Sequence, residues 1–331
     1  MSILRRRIGW TLVGLSLLLH ILTVYCFARQ PDRFAAFTVL PIWLWGGFGL
    51  LLCCSAFYFF RAPLSLVMTA VWAVTLLVGA DEAKVLANLA KSAPHPGIAE
   101  PFHGRPVIRV ATVNCAVFDY GDPSADIAAW HPDIVLVQDA FPHQVKRIAD
   151  VLYGGRGDYR ARNTNGVITR WKIEREVRNP TQRNQQVTVL TPDGTRIEVV
   201  NVHLQSAATN LRFWDRTAWR EHRVNRALRR SELGTVQQVL EQTTHFPQAP
   251  TIFGGDFNAP ANDIVHRQLG RDFVDAFAAA GTGWGDTYQR RFPILRIDVI
   301  HATRHLEPVR SLTVTTRHSD HRMVIADFVK R

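Results

Sequence analysis

Thr251-Ile252-Phe253-Gly254-Gly255-Asp256-Phe257-Asn258-Ala259-Pro260 is an apolar run that ends in two glycines, a carboxylate and an amide. A short β-branched and aromatic run bounded by glycine reads as a buried strand. The paired glycines let the backbone turn sharply, so the strand end presents Asp256 and, two residues on and on the same side, Asn258. An aspartate so placed can take a proton from water or bind a metal, and the amide can hold a phosphate oxygen. Taken alone, Asp-Phe-Asn fits an Asx-type turn closing a strand at least as well.

Five further strand-end signals flank this one. Val107–Cys115 reads as a buried strand with Asn114 near its end, and Ile134-Val135-Leu136-Val137-Gln138 as a second one running into Asp139. Asn201-Val202-His203-Leu204-Gln205 alternates polar and apolar residues. Arg296-Ile297-Asp298-Val299-Ile300 puts an acid inside an apolar strand, where an unpaired charge is expensive. His321, in Ser319-Asp320-His321 ahead of the strand Met323–Phe328, is its natural partner. Between them lie predicted helices at 122–130, 144–152 and 214–242 and strands at 166–169 and 186–190. Pro192-Asp193-Gly194 joins 186–190 to 196–203 as a hairpin. Helices that alternate with hairpin-linked strands predict a mixed two-layer or sandwich arrangement rather than a purely parallel sheet.

The N-terminal third has a different composition. Ile8–Phe27, Phe34–Phe60 and Ala62–Ala80 contain no Lys, Arg, Asp or Glu except Arg61 between the last two, and each approaches or exceeds the ~20 residues needed to cross hydrocarbon. The first is too long for a signal-peptide core and lacks a small-x-small cleavage site. The expected organisation is a three-helix transmembrane anchor over 1–80, a connector over 81–106 broken by Ser92-Ala93-Pro94-His95-Pro96-Gly97, and a soluble domain over 107–331. Arg5-Arg6-Arg7 favours a cytoplasmic N-terminus, which after three crossings puts the soluble domain outside the cytoplasm; Arg29 and Arg33 count against that orientation.

The chain of 331 residues carries a net charge of +11, of which residues 101–331, with 31 Lys and Arg against 24 Asp and Glu, carry +7. Such an excess fits a polyanionic partner, nucleic acid or anionic lipid, and equally a solvated basic surface. Three of the four cysteines lie in the apolar spans, so a disulfide within the soluble domain and a thiolate zinc site are both excluded.

The six signals occur once each and in one order: strand-Asn, strand-Gln-acid, Asn-Val-His-Leu, Gly-Asp-Phe-Asn, Arg-Ile-Asp and Ser-Asp-His. That succession resembles the endonuclease/exonuclease/phosphatase (DNase I-like) family over about 107–331. Gly281-Thr282-Gly283-Trp284-Gly285-Asp286-Thr287-Tyr288 is similar to the Gly-rich Thr-Tyr stretch of its membrane-anchored bacterial members. The resemblance implies an α/β four-layer sandwich, two mixed sheets flanked by helices, and hydrolysis of phosphoester bonds with Mg²⁺, Mn²⁺ or Ca²⁺. It also implies roles for matching residues. Asn114, Asp139 and Asp320 correspond to metal-site positions. Asp256 corresponds to the residue that activates water, and Asn258 and His203 to phosphate contacts. Asp298 and His321 correspond to an acid–imidazole pair. Hard oxygen ligands without thiolate agree with such ions. Asp139 departs from the family pattern, which has Glu there, and the shorter side chain predicts weaker affinity or a changed ion preference.

Arg212, Arg216, Arg220, Arg223, Arg226 and Arg230 recur at steps of three or four beside Trp214 and Trp219, a stripe on a helix. It suits a phosphodiester backbone or lipid headgroups, or is a solvated face paired with Asp215 and Glu221. The leading expectation is a multi-pass protein, of bacterial inner-membrane type, that cleaves phosphodiester bonds in a nuclease-like manner. A phospholipid phosphodiesterase is the second reading, and a silent phosphate-binding module using the same groove is the third. The partners expected are the phosphodiester substrate (nucleic acid or phospholipid) and the membrane, with no obligate protein partner.

Overall fold

The computed structural model describes residues 3–88, 90–178, 183–207 and 212–331. Two compact units result: Met1–Ala87 with Ala208–Val224, and Asn88–Ala207 with Asn225–Arg331.

The first unit contains α1 (Ile3–Arg29), α2 (Ile42–Phe60) and α3 (Leu64–Gly79). Among the described residues two helices, α1 and α2, are long and apolar enough to cross a membrane, where three were expected. At ~1.5 Å per residue, the 16 residues of α3 reach only about 24 Å, short of a ~30 Å hydrocarbon core. The expected span from Phe34 is also shorter. Asp32–Phe34 and Ala35–Thr38 form separate short turns, and the helix restarts at Ile42 because Pro41 lacks an N–H and bars its predecessor from helical geometry. Inside this unit Gly49 faces the indole of Trp72 so closely that a Cβ there would lie 2.1 Å from the ring. Trp72 Nε1 donates to Ser16 Oγ (3.0 Å), which donates to the Gly49 carbonyl (3.1 Å), and His20 meets Thr75 at 2.8 Å.

The second unit is a sandwich of two six-stranded sheets. One has the order β11-β12-β1-β2-β4-β3 and the other β5-β6-β7-β8-β10-β9. The inner strands of the first are β1 (Val107–Asn114), β2 (Ile134–Gln138), β4 (Asn165–Thr169) and β12 (Met323–Lys330). Those of the second are β6 (Asn184–Leu190), β7 (Arg196–His203), β8 (Thr251–Asp256) and β10 (Asp298–Thr303). Val110, Leu136, Val199, Ile252 and Ile300 interlock between the sheets. The outer face of the first sheet is covered by α4 (Pro142–Tyr153) through Val145 and Ile148, and that of the second by α5 (Arg216–Thr243) through Leu233, Val236 and Leu240. Helix, sheet, sheet, helix is the expected four-layer order.

Four strands were not anticipated: β3 (Asp158–Arg162), β5 (Lys172–Val177), β9 (Phe273–Asp275) and β11 (Leu306–Val314). All four lie at sheet edges, where charged side chains and Pro308 blunt further pairing and mask the apolar alternation. The connector from Asn88 onward is fastened to the sandwich. Arg109 Nη1 donates to the carbonyls of His95 and Gly97, and Asn88 Nδ2 to that of Ala278.

Candidate active site

Each sheet carries one parallel pair, β1 with β2 and β7 with β8, and all four strands point their C-terminal ends the same way. The register sets Asn114 opposite Gln138, one residue before Asp139, and His203 opposite Asp256. β10 runs antiparallel to β8 and starts where β8 ends, so Asp298 faces Asp256. The two sheets therefore deliver their polar strand ends to one edge of the sandwich. Gly255 has φ +134°, and a Cβ there would lie 2.0 Å from the Val202 carbonyl, so only glycine lets β8 approach β7 directly ahead of Asp256. Asn258 and Asp139 sit at φ 50° and 47°, left-handed conformations of the kind that collect at functional sites.

Asp256 is the centre. Its Oδ2 accepts from Asn114 Nδ2 at 3.1 Å and its Oδ1 from the Asn258 amide nitrogen at 2.8 Å, and His203 Nε2 approaches at 3.8 Å. Asn114 Nδ2 also reaches Asp139 (3.4 Å), which lies 3.5 Å from His203 Nδ1. His321 Nδ1 meets Asp298 at 2.8 Å. Seven of the eight predicted residues thus form one connected group. Asp320 precedes His321, but among the described residues its carboxylate makes no hydrogen bond or ion pair with the other seven. Its carbonyl accepts from the Arg290 amide.

Burial raises the pKa of Asp256, and the charge of Asp298 adds to the rise. For His321, burial alone favours the neutral ring. The Asp298 charge and hydrogen bond, with Asp256 and Asp320, outweigh it and push its pKa up to about 10, so the ring is an imidazolium at neutral pH. Burial raises the Cys115 thiol far enough to exclude it as a nucleophile.

Three carboxylates around one imidazolium leave an excess of negative charge, which suits a cation. Asp298 Oδ1 is buried with no hydrogen-bond partner, and Asp139 is the open carboxylate, its side chain 35% exposed. The tightest set of metal-capable atoms among the described residues is Asp256, Asp298 and His321, within 4.8 Å of one another. His321 Nδ1 is already committed to Asp298, so the oxygen-rich side by Asn114 and Asp139 suits a hard cation better.

Several further residues hold this edge. Asn184 caps the His203 amide (3.1 Å). Thr287 Oγ1 accepts from the Ile297 and Asp298 amides (3.2 Å each), and Ser319 Oγ donates to the Asn114 carbonyl (2.7 Å) while accepting from the His321 amide. Gln138 Nε2 donates across the sheets to Asn201 Oδ1 (2.6 Å), and Asn201 Nδ2 donates back to the Val137 and Gly166 carbonyls. Gln138, Asn201, Thr287 and Ser319 lie inside the sequence motifs but have no assigned role there; Asn184 lies just outside a predicted strand and needs the fold to be found.

Residues 111–321 match the sequence profile of the Endonuclease/Exonuclease/phosphatase family. Among solved structures, an endonuclease/exonuclease/phosphatase from Beutenbergia cavernae superposes with a TM-score of 0.55 at 19% identity, covering 68% of this chain and 72% of that one. A mannosyl-6-phosphatase from Bacteroides thetaiotaomicron gives 0.53 at 16%, covering 67% and 99%. A humanized D. rerio TDP2 gives 0.51 at 18%, covering 67% and 98%. At these identities the likeness speaks for the fold alone. No curated protein matches the chain in sequence.

Proposed function

The chain belongs to the Endonuclease/Exonuclease/phosphatase family, and from that premise we propose that it is a membrane-anchored, divalent-metal-dependent phosphodiesterase with nuclease-like action. Members are generally hydrolases of phosphoester bonds and typically need a divalent cation. The observation that carries the reading is Asp256, fully buried yet clasped by Asn114 and the Asn258 amide, beside the Asp298–His321 pair.

Asn114 and Asp139 are the residues that would hold the cation, which when bound would supply charge neutralisation on the phosphoryl oxygens. Asp256, held by Asn114 and the Asn258 amide, orients the attacking water and takes its proton. Asn258 Nδ2 spends one hydrogen on the Leu204 carbonyl (3.0 Å) and has a second for a phosphoryl oxygen. His321, its Nδ1–H directed at Asp298, presents Nε2–H to the phosphoryl or leaving oxygen and gives up its proton there.

The two apolar helices favour a second reading, a phospholipid phosphodiesterase. Detergent-solubilised full-length protein, with Mg²⁺ or Mn²⁺, is assayed on single- and double-stranded DNA, RNA and sphingomyelin. Metal-dependent nucleic-acid cleavage abolished by EDTA is the expected result. Cleavage of lipid alone removes the nuclease reading, and no turnover of any substrate removes both. Asp139→Glu is expected to change the preferred ion or tighten the metal requirement. An unchanged metal titration removes the significance given to the shorter side chain.

A further inference from the structure

The arginine stripe does not form one exposed face. Arg226 is buried and pairs with Asp263 (2.8 Å), and Arg229 is buried beside it, because steps of three precess around the helix until the side chains turn inward. Arg216, Arg220 and Arg223, on the first two turns of α5, remain exposed. These turns belong to the same unit as α1.

Trp219 stands edge-on to Phe34 with ring centroids 6.2 Å apart, and Phe34 lies in the turn that follows α1. Trp219 Nε1 donates to the Phe213 carbonyl (2.7 Å), and Phe213 stacks on His222, so the segment from 213 to 222 is fixed against that turn. Arg33 lies over the Phe34 ring (5.1 Å) and reaches the Tyr25 hydroxyl (3.4 Å). Arg29 and Arg33 are exposed, and Trp214 is 85% exposed, the largest apolar surface of this segment left without protein cover. Arg29, Arg33, Arg212, Arg216, Arg220 and Arg223 stand against Asp32, Asp215 and Glu221, and Asp215 is occupied in capping Thr217 (2.9 Å).

We propose that the Arg29–Phe34 turn and the first two turns of α5 form a basic, aromatic collar that binds the headgroups of anionic phospholipids. It rests on the reading that α1 crosses the bilayer, since the end of a spanning helix is the depth at which phosphate groups lie. Guanidinium forks match phosphate oxygens, and tryptophan and tyrosine partition to the same level. A nucleic-acid strand shares the charge complementarity and has bases that stack on tryptophan, but the place of the collar at the end of α1 favours lipid headgroups. The collar supplies a lipid preference that the uncharged faces of the helices cannot.

The test uses the full chain in nanodiscs of phosphatidylcholine, with or without one quarter phosphatidylglycerol. The emission of the chain less that of its Trp214→Phe variant isolates Trp214, and acrylamide quenching measures its exposure. Each arginine near an anionic surface adds about fivefold to local affinity, so the quenching constant is expected to fall at least threefold when phosphatidylglycerol is present. The Arg216→Gln/Arg220→Gln/Arg223→Gln variant is expected to enter the discs normally and to lose that fall. Equal quenching in the two lipids, or a fall that survives the triple substitution, overturns the proposal. So does protection of Trp214 by single-stranded DNA in pure phosphatidylcholine discs but not by phosphatidylglycerol. A chain that stays out of the discs altogether overturns the anchor beneath it, a separate and distinguishable result.

Discussion

In α1 to α3 the outward side chains are those of Leu18, Leu51, Phe59, Val74 and Leu77, while the inward ones include Ser16, Thr23, Gly46, Gly49 and Cys53. In the sandwich the order is reversed: the interior is Val, Ile, Leu and Phe, and polar groups are gathered at its two ends. On the membrane-anchored reading, hydrocarbon around the bundle would remove the reward for burying apolar groups, so that small and hydrogen-bonding residues hold the helices together. Water around the sandwich restores that reward, and a polar group buried there must be fully paired or serve chemistry. The two polar ends of the sandwich differ in how their charges are balanced. Asp256, Asp298 and His321 leave atoms such as Asp298 Oδ1 unpaired. At the other end Asp327 is locked between Arg109 (2.7 Å) and Arg310 (3.0 Å).

The sharpest way to break this contrast is Asp256→Ala. Loss of a general base and a metal-facing carboxylate together is expected to slow turnover by about 10³- to 10⁴-fold, some 4–5.5 kcal/mol of barrier, with the circular-dichroism spectrum and melting temperature retained. A variant that keeps its rate but melts early would make the candidate active end structural. Asp327→Ala is expected to do the reverse. It removes the carboxylate that the buried Arg109 and Arg310 share, leaving Asp133 as the remaining acid beside Arg109, a loss of about 3–4 kcal/mol in denaturant titration with no change in rate per folded molecule.

A smaller effect sharpens the distinction within the candidate active end. The pKa of His321 is near 10 in the fold against an ordinary 6.5. A group whose pKa is raised by folding contributes stability fully below pH 6.5 and loses it as pH climbs through about 10. Activity that depends on the imidazolium falls on the same alkaline limb. Asp298→Asn removes the largest cause of the rise, so the limb and the imidazole nitrogen NMR titration are expected to move down by at least one unit, about 1.4 kcal/mol. An unmoved limb assigns the proton to another group.

The legibility of these ends in the sequence was uneven for physical reasons. Asp256, His203 and Asp298 stand out because each closes or opens an apolar strand, where a polar side chain breaks a period of two. β2 and the hairpin from β6 to β7 were readable for the same reason, since both faces of a central strand are buried. β11 was not, because an edge strand mixes Glu307, Pro308 and Arg310 into the pattern. Asp327 was equally invisible as a pairing site: its partner Arg109 is 218 residues away, and only sheet register brings β1 beside β12. The break at Pro41 was legible in principle, but apolar content outweighed it, which lengthened the second span and lent the third, at 16 residues, a length it lacks.

The smallest expected effect tests the helical half of the contrast. Ser16 Oγ accepts from Trp72 Nε1 and donates to the Gly49 carbonyl, and Cys53 Sγ lies 3.1 Å away. In a water-soluble core, Ser16→Ala would orphan a buried indole N–H at a cost of about 1–3 kcal/mol. In a bilayer the unfolded helices also find hydrogen-bond partners, so the net worth of an interhelical bond averages only about 0.6 kcal/mol. The expected loss is therefore about 0.6 kcal/mol when the full chain is unfolded by SDS in mixed micelles. A loss of several kcal/mol would mean that Ser16 behaves as a core residue of a soluble domain, and that α1 to α3 are packed by the same rules as the sandwich.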